Sequence, residues 1–271
     1  MKEVFIDLYH KRVYLLPKII YSLFLILLLQ NSFYLILYAE TRINQELPLY
    51  EIVNGVNKIL SYPKGEISGR MLHLTPQGES RLITITALIS DDDYLFKFRS
   101  KPRGNELKIL FNLKKRDIWV YNILDQQIYN KKNIDRFDSI LLTNYYFIDL
   151  SRDDYISNYN IEMKGNATVK DYNCYKLDLV PKKKDWGYGL LTMYISKNDL
   201  VPLRIEYHDT NNILFKTLAV TKVIEKDKSI IPIRYDMLDI KNRTVTILEF
   251  TEFKRHAEFS REIFRHFNLG R

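Results

Sequence analysis

Cysteine is almost absent: Cys174 is the only one in 271 residues. One thiol excludes an internal disulfide and any cysteine-rich metal site. The fold must therefore rest on packing, and a chain of this length can bury a sizeable core. Cys174 lies in Asp-Tyr-Asn-Cys-Tyr-Lys-Leu, a strand-like run where it reads as a small buried hydrophobe rather than a reactive thiol. Glycine and proline are also scarce, at 9 and 8. No Gly-rich phosphate loop and no Gly-x-Ser-x-Gly elbow exists. The five histidines, His10, His73, His208, His256 and His266, show neither an HExxH motif nor a pair at ligand spacing, and no metal site is expected. His208 and Asp209 are adjacent at a strand end, where they point to opposite faces. No catalytic constellation emerges, and the chain does not read as an enzyme. No cofactor is implied. Charge of one sign is not concentrated either. The net charge is +8, but 41 basic residues are interspersed with 33 acidic ones, which argues against nucleic-acid binding. There is no repeat of 20–50 residues and no low-complexity linker.

What the chain does have is tyrosine, 20 of them, and alternation. From Tyr94 to Tyr121, the residues Tyr94, Phe96 and Phe98 alternate with polar or outward neighbours. Ser100-Lys-Pro-Arg-Gly104 marks a turn, after which Leu107, Ile109, Phe111 and Leu113 alternate, then Ile118 and Val120. A period of two marks strands with one apolar face, and Pro and Gly mark the reversal. Arg81–Ser90 alternates likewise through Ile83, Ile85, Ala87 and Ile89. Downstream, Thr168–Val180, Leu190–Ser196, Pro202–His208, Leu214–Val223, Ile231–Ile240 and Arg243–Phe253 read as consecutive hairpins. The whole amounts to roughly nine to eleven antiparallel strands.

Three stretches read differently. Leu49–Leu60 places Ile52, Val53, Val56, Ile59 and Leu60 on one helical side, with Ser61-Tyr62-Pro63 as the stop. Residues 122–165 lack clean alternation and read as one or two short helices that lie either over the open face of the sheet or on the core as a connector. Phe259, Ile263, Phe264 and Phe267 form a C-terminal helical stripe that closes on the core. Gly65–Gly69 reads as a loop. Asp91-Asp-Asp93 reads as a solvated turn, because no further oxygen ligands stand at calcium-binding spacings.

The N-terminus reads as an export signal. Lys2, Lys11, Arg12 and Lys18 precede the apolar run Ile19–Leu29, and Leu37-Tyr38-Ala39 before Glu40 has a small residue where a signal peptidase needs one. The alternative is an uncleaved anchor, since the uncharged stretch from Ile19 to Ala39 matches the ~20 residues of a membrane-spanning helix. The expected organisation is a segment 1–39, cleaved or anchoring, followed by a single domain over 40–271. No cysteine follows the apolar run, so the chain is not lipidated there.

The order of these stretches resembles the LolA-like family of outer-membrane lipoprotein-sorting proteins. The resemblance is carried by LFKFRSKPRGNELKILF, DIWVYN and FDSILLTNYYFIDLSRDDY. It continues in DYNCYKLDLVPK, YISKNDLVPLRIEYHDTNNILFKTL, IPIRYDMLD and TVTILEF, and covers residues 49–268. No single motif is sharp; order and spacing carry it. The resemblance implies an α+β, mainly antiparallel fold: an incomplete, half-open β-barrel whose concave side is covered by helices. It implies a periplasmic, monomeric carrier that holds the acyl chains of lipoproteins or lipids and delivers them towards the outer membrane. An inner-membrane donor complex and an outer-membrane receptor are the implied partners. Candidates for the lipid-binding lining are Ile83, Ile85, Phe96, Phe98, Ile109, Phe111, Met193, Ile195, Ile205 and Tyr207, each of which also reads as plain core. Arg70 and Arg81 are both candidates for the family's lid arginine. A membrane-anchored envelope sensor, or a carrier of another lipid on the same fold, is the alternative function.

Overall fold

The structure is a computed structural model and describes Gln30 and residues 47–100, 105–151, 154–183, 187–226, 229–255 and 259–271. The expected signal segment lies outside the described residues, apart from Gln30. The chain divides into two units, Met1–Pro48 and Leu49–Arg271, and the second holds the whole sheet and the helices that cover it. Among the described residues no helix is long and apolar enough to cross a membrane.

Leu49–Leu60 forms helix α1, with the bounds its spacing predicts. Ile52, Val53, Val56 and Leu60 are buried, Glu51 sits in the first turn and Lys58 in the last, each where the helix dipole favours its charge. The Ser61 hydroxyl donates to the Lys58 carbonyl at 2.6 Å and satisfies one terminal acceptor before Pro63 ends the helix.

Thirteen strands then form one antiparallel sheet in the order β6-β5-β4-β3-β2-β1-β13-β12-β11-β10-β9-β8-β7. The first arm is β1 (Gly65–Leu74), β2 (Ser80–Ile89), β3 (Asp93–Ser100), β4 (Asn105–Asn112), β5 (Asp117–Asn122) and β6 (Gln127–Lys131). The second is β7 (Tyr159–Val169), β8 (Tyr172–Pro181), β9 (Leu190–Ser196), β10 (Pro202–His208), β11 (Leu214–Lys226), β12 (Ser229–Asp239) and β13 (Thr244–Lys254). Each arm is a meander, and β1 pairing with β13 joins them. The sheet does not close: β6 and β7 are its free edges. The expected half-open, mainly antiparallel architecture is what the chain adopts, with more strands than the nine to eleven expected.

The surplus corrects two expectations. Gly65–Gly69 is the start of β1 rather than a loop. Its glycines face the backbone of β13: a Cβ on Gly69 would stand 2.4 Å from the Glu249 carbonyl oxygen, at the register shift between Ser68 and Gly69. The helical reading of residues 122–165 holds only in the middle. β6 opens that stretch and β7 ends it. Between them lie 3-10 turns at Asn133–Phe137 and Ile140–Leu142, then α2 (Phe147–Leu150) and α3 (Tyr155–Asn158).

Because glycine is scarce, left-handed backbone falls on other residues. Arg116, Gln126, Lys170, Leu200, Asn212 and Arg243 all have positive φ at strand ends or reversals. The Asp91–Asp93 turn is held by hydrogen bonds and ion pairs: Lys64 meets Asp91 at 2.8 Å, Lys114 meets Asp92 at 2.6 Å, and Asn112 donates to Asp93 at 2.7 Å. Among the described residues no group of histidine, cysteine or acidic side chains is arranged to hold a metal. Cys174 is buried and free, and burial pushes its thiol up, away from reactivity.

The sheet carries apolar residues on both faces. The inner face and the covering helices form the main core. On the outer face Leu95, Leu110, Tyr121 and Leu269 form a second cluster, with Trp119 and Phe264 packed against it. The C-terminal stripe therefore closes on the outer face rather than on the main core. Its anchor is Leu269, which the pattern missed, while Ile263 and Phe267 are exposed. His266 stacks on Trp119 at 4.1 Å, and Lys108 donates to the Arg271 carbonyl at 2.9 Å.

Candidate lipid site: the concave face and its lid

All ten expected lining residues sit in the main cluster, and none exceeds 6% exposure. They form a patch on each arm. On the first, Ile85 pairs with Phe98 and Phe96 with Ile109; Phe96 stacks on Phe98 at 6.0 Å and meets Phe111 edge-on at 5.8 Å. On the second, Ile205 pairs with Met193 and Tyr207 with Leu191. Met71, Tyr235, Met237, Leu248 and Phe250 bridge the patches in the same cluster. Sequence reasoning left these out, although Tyr235 and Met237 alternate visibly in the stretch Ile231–Ile240.

The lid consists of α1 and the segments 133–151 and 154–158. Its apolar side is Ile52, Val53, Val56, Ile140, Phe147 and Leu150, all in the main cluster. Its fastenings are polar. Asn57 of α1 donates to Asp154 at 3.0 Å, which ties the lid's halves together. The Asn144 backbone N–H donates to the Thr246 hydroxyl at 3.0 Å, and its amide donates to the Met237 and Thr244 carbonyls at 2.9 and 2.8 Å. Arg81 donates to the Leu142 carbonyl at 3.0 Å, beside consecutive left-handed residues Leu141 and Leu142. Arg70 instead pairs with Glu249 at 2.8 Å. Of the two arginine candidates, Arg81 is the one that the structure brings to the lid. His73, close to Arg81, is held below the ordinary histidine value by burial and by that charge, and its Nδ1 lies 2.9 Å from the Thr246 hydroxyl.

Clefts of about 330 and 350 Å³ open along the lid. One is lined by Phe111, Ile118 and Arg136, the other by Tyr50, Asn57 and Tyr155, and Asp154 lines both. A larger cleft of about 630 Å³, lined by Tyr172, Tyr194 and Arg204, shares none of the ten residues.

One buried polar feature escaped the sequence reading. Lys216 of β11 and Asp149 of α2 form an ion pair at 2.7 Å with side chains 2% and 3% exposed. Asp149 also accepts from the Tyr188 hydroxyl and, at 2.8 Å, from the Tyr146 backbone N–H. The ammonium lies 3.7 Å from the Tyr146 ring centre, 4.9 Å from that of Tyr188 and 4.8 Å from that of Tyr207. Burial lowers the Lys216 ammonium from its ordinary value against the pull of Asp149. Burial also raises the Tyr188 and Tyr207 phenols, with Asp149 adding to it. The signal was present: Lys216 is in phase with Leu218 and Val220, so period-two alternation puts a lysine on the apolar face.

An open antiparallel sheet with a helical lid over its concave face defines the LolA-like fold class. Similar structures agree. An outer membrane lipoprotein-sorting protein domain from Vibrio parahaemolyticus matches with a TM-score of 0.69 and 18% identity, over 81% of this chain and 97% of that one. A LolA superfamily protein from Nitrosomonas europaea matches at 0.68 and 17%, over 81% and 98%. A DUF1329 family protein from Desulfovibrio piger matches at 0.69 and 18%, over 81% and 97%. The protein belongs to the family whose model, described as "-like: Uncharacterized protein", matches residues 90–271. No curated protein matches the sequence.

Proposed function

We propose that this protein is an exported, monomeric carrier that holds the acyl chains of a lipoprotein or lipid between the concave face of its sheet and its lid. It works in the periplasm, takes cargo from a donor at the inner membrane and passes it to a receptor at the outer membrane. It binds and releases, and catalyses nothing. The observation that carries this reading is the pairing of a continuous apolar face with a lid fastened by side-chain polar contacts. Each acyl CH₂ withdrawn from water is worth about 0.8 kcal/mol, so the apolar face supplies the affinity. Asn144 and Arg81 fasten the lid to the sheet, and Asn57 joins its halves, through contacts that water can replace. Such a lid can lift without tearing the sheet, whereas a lid built as a strand of the sheet could not.

The test is an environment-sensitive fatty-acid probe added to the full chain and to its Phe98→Glu and Phe111→Glu variants. Saturable binding by the wild type, lost in whichever variant retains the wild-type circular dichroism, is the expected result. Equal binding by folded variants removes these residues from the lining. No binding by the wild type rejects the carrier reading.

A further inference from the structure

We infer that Lys216 and Tyr188 form a headgroup site for an anionic amphiphile, and that the Asp149 carboxylate of the lid occupies this site when the lid is down. The inference rests on the carrier reading and narrows its cargo to lipids with a carboxylate or phosphate at the head.

A neutral acyl tail offers nothing to an ammonium, and apolar residues serve it better. Yet Lys216 points into the main core with its side chain 2% exposed. A charge in such a place is tolerated only when paired and hydrogen-bonded. The partner is not on the sheet. It is Asp149, carried by α2 of the lid. The other donor side chain on that carboxylate, the Tyr188 hydroxyl, comes from the residues leading into β9. The wall thus presents an ammonium and a phenol, and the lid supplies the anion. Tyr207, an expected lining residue, flanks the same ammonium through its ring. When the lid lifts to admit a ligand, Asp149 leaves with it. The buried ammonium then needs a new anion, and a ligand whose headgroup is a carboxylate or phosphate monoester provides one at the end of its own tail. Asp149 and the headgroup compete for one position, so an anionic ligand holds the lid open and its departure lets the lid return.

Hexadecanoic acid, hexadecanol and hexadecyl phosphate share a tail and differ at the head, so their binding to the full chain separates the contributions. Titration calorimetry at neutral pH should show at least tenfold tighter binding of one or both anions than of the alcohol. Which anion leads distinguishes a carboxylate from a phosphate source. Asp149→Asn removes the competitor and should tighten anion binding severalfold while leaving the alcohol unchanged. The Lys216→Met/Asp149→Asn double variant contains no buried charge at this place, keeps an acceptor for Tyr188, and should bind all three ligands alike. Equal affinities in the wild type, or an anion preference that survives in the folded double variant, overturns the inference and leaves the carrier reading standing. Binding of none of the three by the wild type rejects the carrier reading and this inference with it.

Discussion

At the scale of single residues the ion pair under the lid has the sharpest consequences. Removing one partner of a buried pair costs about 3–5 kcal/mol, because the other charge is left without compensation. Asp149→Ala should lower unfolding stability by about that amount, since Lys216 would lose the 2.7 Å contact with its only carboxylate partner among the described hydrogen bonds and ion pairs. Lys216→Met/Asp149→Asn should fall within about 1 kcal/mol of the wild type, because exchanging a buried pair for uncharged groups of similar volume is often neutral or stabilising. Urea unfolding of the single and double variants checks both. If the single variant matches the wild type, the ammonium sheds its proton or reaches water at little cost, and the pair is not a significant fastening. A lysine in phase with leucine and valine was the clue in the sequence. Asp149 had none, because Phe-Ile-Asp-Leu shows no period and only the folded chain brings it to β11.

At the scale of elements, legibility followed burial. Helix α1 was readable to the residue because one side of it packs on the core and its spacing records that packing. The inner strands β2, β3, β4, β9 and β10 were readable for the same reason, and with them the burial of the ten residues named as candidates for the lining. The edge strands were not. β6 reads Gln-Ile-Tyr-Asn-Lys and β7 is exposed over much of its length, so neither carries a clean apolar period, as suits strands whose free side must resist pairing. β1 was masked by its glycines, whose cause is a partner strand distant in sequence. Gly69→Val should therefore weaken the β1–β13 pairing that joins the arms, costing about 1–3 kcal/mol as the backbone is forced apart. Thermal unfolding would show it, and an unshifted midpoint would mean that the bulge absorbs a side chain. The lid has its own element-scale signature. Burial alone raises the Asp154 carboxyl, but hydrogen bonds from Ser157, from the Ile156 N–H and from Asn57 outweigh it and hold it below the ordinary aspartate value. A depressed folded value stabilises above the unfolded value of about 3.9 and is lost as pH falls through the folded one. Amide exchange at Ile156 and Asn158, corrected for its intrinsic pH dependence, should accelerate as pH falls below about 4. Asp154→Asn should show no such step.

At the scale of the whole molecule, the two apolar faces of one sheet divide the work. The inner face packs against α1 and the segment between β6 and β7, and the outer face packs against the C-terminal tail. The architecture was implied by the family resemblance that chain order and spacing carried, since these survive where individual motifs do not. It did not disclose that the tail crosses to the outer face, because Phe259, Ile263, Phe264 and Phe267 are as apolar as any core stripe and nothing local says which face they serve. The division is testable. Leu269 is 2% exposed, against Leu95, Leu110 and Tyr121. Leu269→Ala should cost about 2–5 kcal/mol of unfolding stability, the range for a leucine cavity in a packed site. It should leave fatty-acid affinity unchanged if the proposed site is right, because the sheet lies between that cavity and the inner face. Phe98→Ala, on the inner face, should weaken binding as well as folding. If Leu269→Ala weakens binding as much as it weakens folding, the faces are coupled through the curvature of the sheet. The tail would then set how far the concave side opens, and cargo release would be governed from the side opposite to the lid.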